Sequence, residues 1–274
     1  MSATNTTAGR DLRSDRTASK DGTVLAYDVR GSGGTLVYVT GASCFRRFQP
    51  VVKDAKAFAA AFTTVTYDRR GRGDSGDTAP WSLDRELEDL EAVIDATGGP
   101  AWVYGHSSGA VLALHAALRL GEKVRGVVLY DASWVADEKE GREYAMLRQS
   151  VEGLLDRGRN AAAMRRFLSG IGMPRAFVAL LPLMPGWRRM VALAPTLRYD
   201  MALTADPPPY DLAATAATPM HVVVGARSPA SLHAVAEGLA AAVPGAAVTV
   251  LPKQDHMVAA SAILPVLTDR LRHA

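Results

Sequence analysis

Residues 101–120 constrain this chain more than any other stretch. The apolar run Ala101-Trp102-Val103-Tyr104 leads into Gly105-His106-Ser107-Ser108-Gly109 and then into an amphipathic segment, Ala110 to Leu120. A strand that turns directly into a helix makes a bend too sharp for large neighbours. Gly105 and Gly109 supply the missing side chains, and Ser107 is left projecting above the sheet edge. Two roles fit a serine there: a nucleophile, or an ordinary helix N-cap, which Ser108 can equally provide. Val111, Leu114, His115 and Leu118 fall on neighbouring turns of the helix, which ends before Gly121. His115 lies at least two turns from Ser107, too far for proton transfer, and reads as a packed helix histidine.

The flanking sequence alternates between strand and helix patterns. Val24–Val29 follows the turn dipeptide Asp21-Gly22, and Gly31–Gly34 separates it from Thr35–Thr40, whose continuous run Leu36-Val37-Tyr38-Val39 suits a strand buried on both faces. Phe48–Phe62 reads as a helix and Thr63–Tyr67 as a strand. Ser82 caps a helix marked by Leu83, Leu87, Leu90 and Ile94 and stopped by Gly98-Gly99. Val124–Tyr130 is a further strand, closed by Asp131. From Ala136 to Tyr210 only helical patterns occur, such as Leu147, Val151, Leu154 and Leu155, then Met164, Phe167, Leu168 and Ile171, before Pro207-Pro208-Pro209. This segment is expected to be a helical insertion folded over the sheet's active edge. Met220–Val224, a helix at Ser231–Val243, Ala247–Leu251 and a last helix at Ile263–Leu271, restarted at Pro265, complete the pattern.

Alternating strand and helix implies an α/β fold, with a mostly parallel, doubly wound sheet covered on both faces and sites at the strand C-terminal ends. Ala42, Asp68, Ser107, Asp131, Ser228 and His256 all fall at or just beyond such ends. The expected organisation is a disordered leader at 1–16, a core domain in two parts at 17–135 and 211–274, and a helical lid at 136–210. A chain of 274 residues with 48% apolar and 22% charged residues is long enough for such a core. The net charge of +3, with arginines scattered rather than gathered in one basic block, gives no support to nucleic-acid binding. A single cysteine, Cys44, excludes an internal disulfide. The first twenty residues hold no apolar run suited to a signal peptide, and no stretch approaches the roughly 20 apolar residues of a membrane span. A soluble, cytoplasmic protein is expected.

The loop Asp68-Arg69-Arg70-Gly71-Arg72-Gly73-Asp74-Ser75 is basic and glycine-rich, but lacks the Gly-Lys-Ser/Thr ending of a phosphate cradle. Its expected role is structural, with Asp68 paired to one of the neighbouring arginines. His221, His233 and His273 show no metal-ligand spacing, so neither a metal nor a cofactor is expected.

Strand, Gly-His-Ser-Ser-Gly and helix, preceded by the 68–75 loop and followed by a late His256, resemble the α/β-hydrolase superfamily, in its serine-nucleophile branch with a helical lid. The resemblance covers about residue 20 to the end. It implies that Ser107 is the nucleophile, His256 the general base, and the backbone N–H groups of Ala42 and Ser108 the oxyanion hole. Two departures stand out. The usual His-Gly before the oxyanion loop is Thr40-Gly41, and the position expected to carry the acid is Ser228, with no carboxylate between Asp211 and Glu237. Asp131 ends the strand after the nucleophile helix, where haloalkane dehalogenases of this superfamily place their acid. It is expected to complete a triad, a Ser-His dyad being the alternative, while Asp255 is a poor substitute because the ring of its chain neighbour does not easily reach it. Ser43, Cys44, His106, Trp134 and Met257 are candidates to line the substrate site, although Cys44 also reads as a buried thiol and His106 as a packing residue. The activity implied is esterase- or lipase-like: cleavage of a small-to-medium hydrophobic ester, lactone or thioester through an acyl-enzyme. A cofactor-free lyase, cyclase or perhydrolase, and a ligand-binding receptor, remain the alternatives.

Overall fold

Apolar runs without polar alternation, such as Leu36–Val39 and Val127–Tyr130, become strands buried on both faces of one sheet. The computed structural model describes residues 12–272. In chain order the elements are β1 (Arg13–Ala18), β2 (Val24–Arg30), β3 (Thr35–Val39), α1 (Gln49–Phe58), β4 (Thr63–Tyr67), α2 (Leu83–Ala96), β5 (Ala101–His106), α3 (Ser108–Arg119) and β6 (Val124–Tyr130). Six helices follow: α4 (Glu138–Leu155), α5 (Asn160–Gly170), α6 (Arg175–Leu180), α7 (Trp187–Ala192), α8 (Leu197–Leu203) and α9 (Tyr210–Ala213). The chain then returns to the sheet with β7 (Met220–Gly225), α10 (Ala230–Ala242), β8 (Ala247–Leu251) and α11 (Ala260–Arg272). The strands lie in the order β1-β2-β4-β3-β5-β6-β7-β8, parallel from β4 onward and antiparallel at β1-β2 and β2-β4.

Side chains alternate across the sheet with period two. Val37, Val39, Val103, Leu129 and Val222 face α2, α3 and α10, while Leu36, Tyr38, Tyr104, Val128 and Val223 face α1 and α11. A third apolar cluster belongs to the insertion: Leu147, Val151 and Leu155 of α4 pack with Met164, Phe167 and Leu168 of α5 and Leu197 and Met201 of α8. Ala42, from the loop after β3, packs against this third cluster and so connects it to the sheet. Among the described residues no helix is long and apolar enough to cross a membrane.

Several boundaries differ from the sequence reading. Residues 1–11 of the expected leader, and His273, lie outside the described residues, but Arg13–Ala18 is not a leader: it is an edge strand paired antiparallel with β2, from Arg13 opposite Val29 to Ala18 opposite Val24. This strand is mostly exposed, so backbone pairing holds it in place and no apolar periodicity announces it. Helix α1 ends at Phe58, four residues early, and α11 runs through Pro265 without a restart.

The turn between β5 and α3 is as cramped as the glycine spacing implies. Ser107 adopts φ 58° and ψ −126°, a conformation rare outside glycine. A Cβ at Gly105 would lie 2.5 Å from Ala110 Cα, and one at Gly109 would overlap the carbonyl oxygen of Val39. Both obstacles are backbone, which cannot rotate aside. Gly109→Ala is therefore expected to destabilise the fold by about 3 kcal/mol, at the upper end of ordinary overpacking, read as a lowered urea midpoint.

Candidate active site

Four non-glycine residues among those described have positive φ, and three of them stand at neighbouring strand ends: Ser43 after β3, Ser107 after β5 and Asp131 after β6. Strain concentrated in this way marks a site whose side chains are held against local preference. Asp131 is fully buried, and its carboxylate collects three donors. His256 Nδ1 lies 3.0 Å from Oδ2, Ser228 Oγ donates to the same oxygen at 2.6 Å, and the Gly225 amide donates to Oδ1 at 3.2 Å. Burial works to raise the Asp131 pKa, but the bonds from His256 and Ser228 outweigh it and hold the carboxyl below its ordinary value. An ionised carboxylate can only accept, so the proton of the His256 ring sits on Nδ1 and Nε2 presents a lone pair. His256 is one-third exposed.

Ser107 stands on the adjacent strand end, its amide bonded to the Tyr130 carbonyl immediately before Asp131. Its hydroxyl shares a hydrogen bond of 3.1 Å with Ser133 Oγ, and Ser133 in turn donates to the Asp131 carbonyl. The loop after β3 approaches from the other side: a Cβ at Gly41 would meet Ser107 Oγ at 3.3 Å. Ser108 is the first residue of α3, where amides have no acceptor one turn back and the helix dipole favours negative charge. Among the described residues the Ala42 amide has no hydrogen-bond acceptor either. Two backbone amides without acceptors and an elbow serine thus follow the adjacent strands β3 and β5.

Residues 29–263 match the sequence profile described as the alpha/beta hydrolase family. The chain belongs to that family. An alpha/beta hydrolase from Sphaerobacter thermophilus DSM 20745 has a similar structure, with 38% identity and a TM-score of 0.84, over 94% of this chain and 100% of that one. Similar proteins also include the lipase LipV of Mycobacterium tuberculosis, 38% identical over 28% of this chain and 30% of its own, and the uncharacterized hydrolase YraK of Bacillus subtilis, 30% identical over 48% and 49%. The chain spans no more than about half the length of these two relatives.

In this alpha/beta hydrolase the loop after β3 carries Thr40 before Gly41, and an arginine from the 68–75 loop braces it. Arg72 donates to the Gly41 carbonyl at 2.8 Å and to the Cys44 carbonyl at 3.3 Å. The same guanidinium grips both oxygens of Asp200 on α8, at 2.8 and 2.7 Å. Arg69 donates to Asp200 at 2.9 Å and, in a fork, to Glu86 at 2.9 and 2.7 Å, while Ser108 Oγ donates to Asp200 at 2.8 Å. All five side chains are buried, and two cations balance two anions. Burial alone pushes the Asp200 carboxyl up, yet Arg72 and Arg69 hold it below its usual range. The insertion is thereby tied to the residue after Ser107 and to the loop after β3.

The remaining sequence-derived candidates separate. Asp68 does not pair with an arginine of its own loop; its partner is Arg46, whose side chain and amide both donate to it, because Arg69, Arg70 and Arg72 turn toward Glu86, Asp89 and Asp200. Ser43 is buried and its hydroxyl lies 3.4 Å from Met164 Sδ of the insertion. Cys44 packs against the α1 and α11 side, where burial pushes its thiol up to about 11 and keeps it neutral. His106 is half-buried and contacts His256: its Nε2 is 2.8 Å from the His256 carbonyl and the two rings are 5.0 Å apart. Trp134 is corrected to a core residue, buried beside His115 at a ring distance of 6.3 Å, since Ser133 takes the orientation toward Ser107 and its successor points away. Met257 lies at the surface, 66% exposed, instead of lining an enclosed pocket. Asp255 accepts from the Met257 amide and makes no bond to the neighbouring ring. Ser133, Asp200 and the donor role of Ser228 were not foreseen; the only sequence hint for Ser133 is its position two residues past a strand end.

Two outcomes follow from these contacts. Asp200→Ala leaves Arg69 and Arg72 short of a buried counter-charge and is expected to cost about 3–5 kcal/mol in chemical denaturation. The second concerns acid. Burial lowers the pKa of His106, His115 and His221 from 6.5 to about 4, with the nearby His256, Arg119 and Arg270 adding to it. In the unfolded chain these rings protonate near 6.5, so between about 6.5 and 4 the unfolded state binds more protons and stability falls as pH drops. Urea midpoints measured across that window should decline, and His115→Gln should flatten the slope by about one proton.

Proposed function

We infer that this hydrolase transfers acyl groups from hydrophobic carboxylic esters to water through a serine acyl-enzyme. The observation that carries this reading is the His256 Nδ1 bond to Asp131, which supports Nε2 acting as the base toward the elbow serine. Rotation about the Ser107 Cα–Cβ bond exchanges the Ser133 contact for the imidazole. Ser107 Oγ then bonds to the ester carbonyl carbon as its proton passes to His256 Nε2, and Asp131 stabilises the imidazolium. The carbonyl oxygen becomes an oxyanion held by the Ala42 and Ser108 amides, an interaction worth about 2.7–4 kcal/mol per donor in such sites. On collapse the ester C–O bond breaks and the leaving alcohol takes the proton from His256. Water repeats the cycle: its proton goes to His256, its oxygen bonds to the acyl carbon, and Ser107 leaves with that proton. Ser228, standing where the acid usually lies, donates to Asp131 and acts as a positioning residue.

The apolar lining contributed by Met164 beside Ser43, and the similarity to a protein named as a lipase, favour an acyl chain of hydrophobic character. A fluorophosphonate probe should label Ser107 stoichiometrically, with labelling lost in Ser107→Ala and His256→Ala. Asp131→Asn should lower turnover of p-nitrophenyl esters by about a hundredfold or more, while Asp255→Asn changes it little. Equal turnover in Asp131→Asn and the unaltered protein would refute the triad. Labelling without turnover of any ester would move the assignment to non-hydrolytic chemistry on the same residues.

A further inference from the structure

The arginines are spread along the chain, but one stretch is dense in them and lacks any opposing charge. Residues 157–199 contain eight arginines, no lysine and no carboxylate, a charge of +8 in a chain whose net charge is +3, so the rest of the protein is net −5. Five of the eight lie on α5 and the two helices packed against it: Arg165 and Arg166 on α5, Arg175 on α6, and Arg188 and Arg189 on α7. All five are exposed, and none forms an ion pair among the described residues. Between them the chain runs through an apolar tip. Leu183 is 82% exposed, and Phe177, Leu180 and Met184 are exposed as well, although Val178 and Leu181 from the same turns are buried in the insertion's core. A soluble surface gains nothing by presenting four large apolar side chains side by side.

We propose that the α5–α7 face of the insertion docks on an anionic lipid bilayer, with Leu180 and Leu183 entering the acyl boundary and the surrounding arginines meeting the headgroup phosphates. Each half of the pattern is weak alone: a short apolar tip binds bilayers marginally, and unassisted basic residues bind only at low salt. Together they form the two-signal arrangement that holds a protein on a membrane surface without crossing it. The same charge argues against other occupants. A second copy seated symmetrically on this face would bring +5 against +5. A nucleic acid would pair with the arginines but leave the apolar tip unused. The proposal is independent of the acyl-transfer reading, because the face includes none of the residues given a chemical role.

Co-sedimentation of the full chain carrying Ser107→Ala, with vesicles of phosphatidylcholine alone and of equal parts phosphatidylcholine and phosphatidylglycerol, tests it. Binding to the anionic vesicles is expected to exceed binding to the neutral ones by at least about tenfold and to weaken as salt is raised. Leu180→Asp combined with Leu183→Asp should lower binding to the anionic vesicles about tenfold, as should Arg188→Glu with Arg189→Glu. Since all four side chains are exposed or at the tip, circular dichroism should show the variants folded. Equal binding to both vesicle types, undiminished binding by the leucine pair variant, or retention by duplex DNA but not by vesicles would each overturn the proposal.

Discussion

The steric limit at the β5–α3 turn governs where everything else can stand. The main chain after β3 passes so close to Gly109 that a single methyl group would collide with the Val39 carbonyl. That proximity lets the loop after β3 lie against Ser107, and it forces Ser107 into a conformation whose energy the surrounding backbone must supply. The serine, the free amides and the strand ends beyond it are consequences of two chains meeting at backbone distance. Relaxing the turn would not merely move one hydroxyl; it would separate β3 from α3 and undo the small volume they enclose.

Charge does for the insertion what sterics do for the elbow. An apolar cluster made of α4, α5 and α8 could slide on the sheet, because dispersion contacts have no direction. The buried group of Arg69, Arg72, Glu86 and Asp200 removes that freedom: bidentate guanidinium–carboxylate bonds fix angles as well as distances. Such a cluster costs desolvation that its mutual attraction roughly offsets, so its effect is better described as specificity of placement than as stability. One result is that Arg72 serves two masters, holding Asp200 on α8 and the Gly41 carbonyl beside the elbow. Any shift of α8 is thus felt at the loop that carries the Ala42 amide.

Asp131 and Ser228 stand on adjacent strand ends and share a hydrogen bond. The carboxylate lies on the strand end adjacent to the usual one, and Ser228, at the usual place, reaches across to donate to it. Both residues border β7 and β6, which are hydrogen-bonded neighbours, so the same imidazole can be served from either strand. This exchange was readable only as a possibility from the chain: the lack of acid after β7 and the presence of one after β6 were visible, but their distance from His256 was not.

Strand and helix order, the cramped serine turn, the helical character of residues 136–210 and the absence of an acid after β7 were all determined by the sequence itself, because apolar periodicity and glycine spacing are local properties. Edge strand β1 was not, since an exposed polar strand is held by pairing with β2 and carries no pattern of its own. Nor were the partners of the 68–75 arginines, the facing of Ser133 and Trp134, or the burial that lowers three histidines. Those depend on which residues meet across 17 to 131 positions of chain, and only the folded sheet brings them into hydrogen-bond range and out of water.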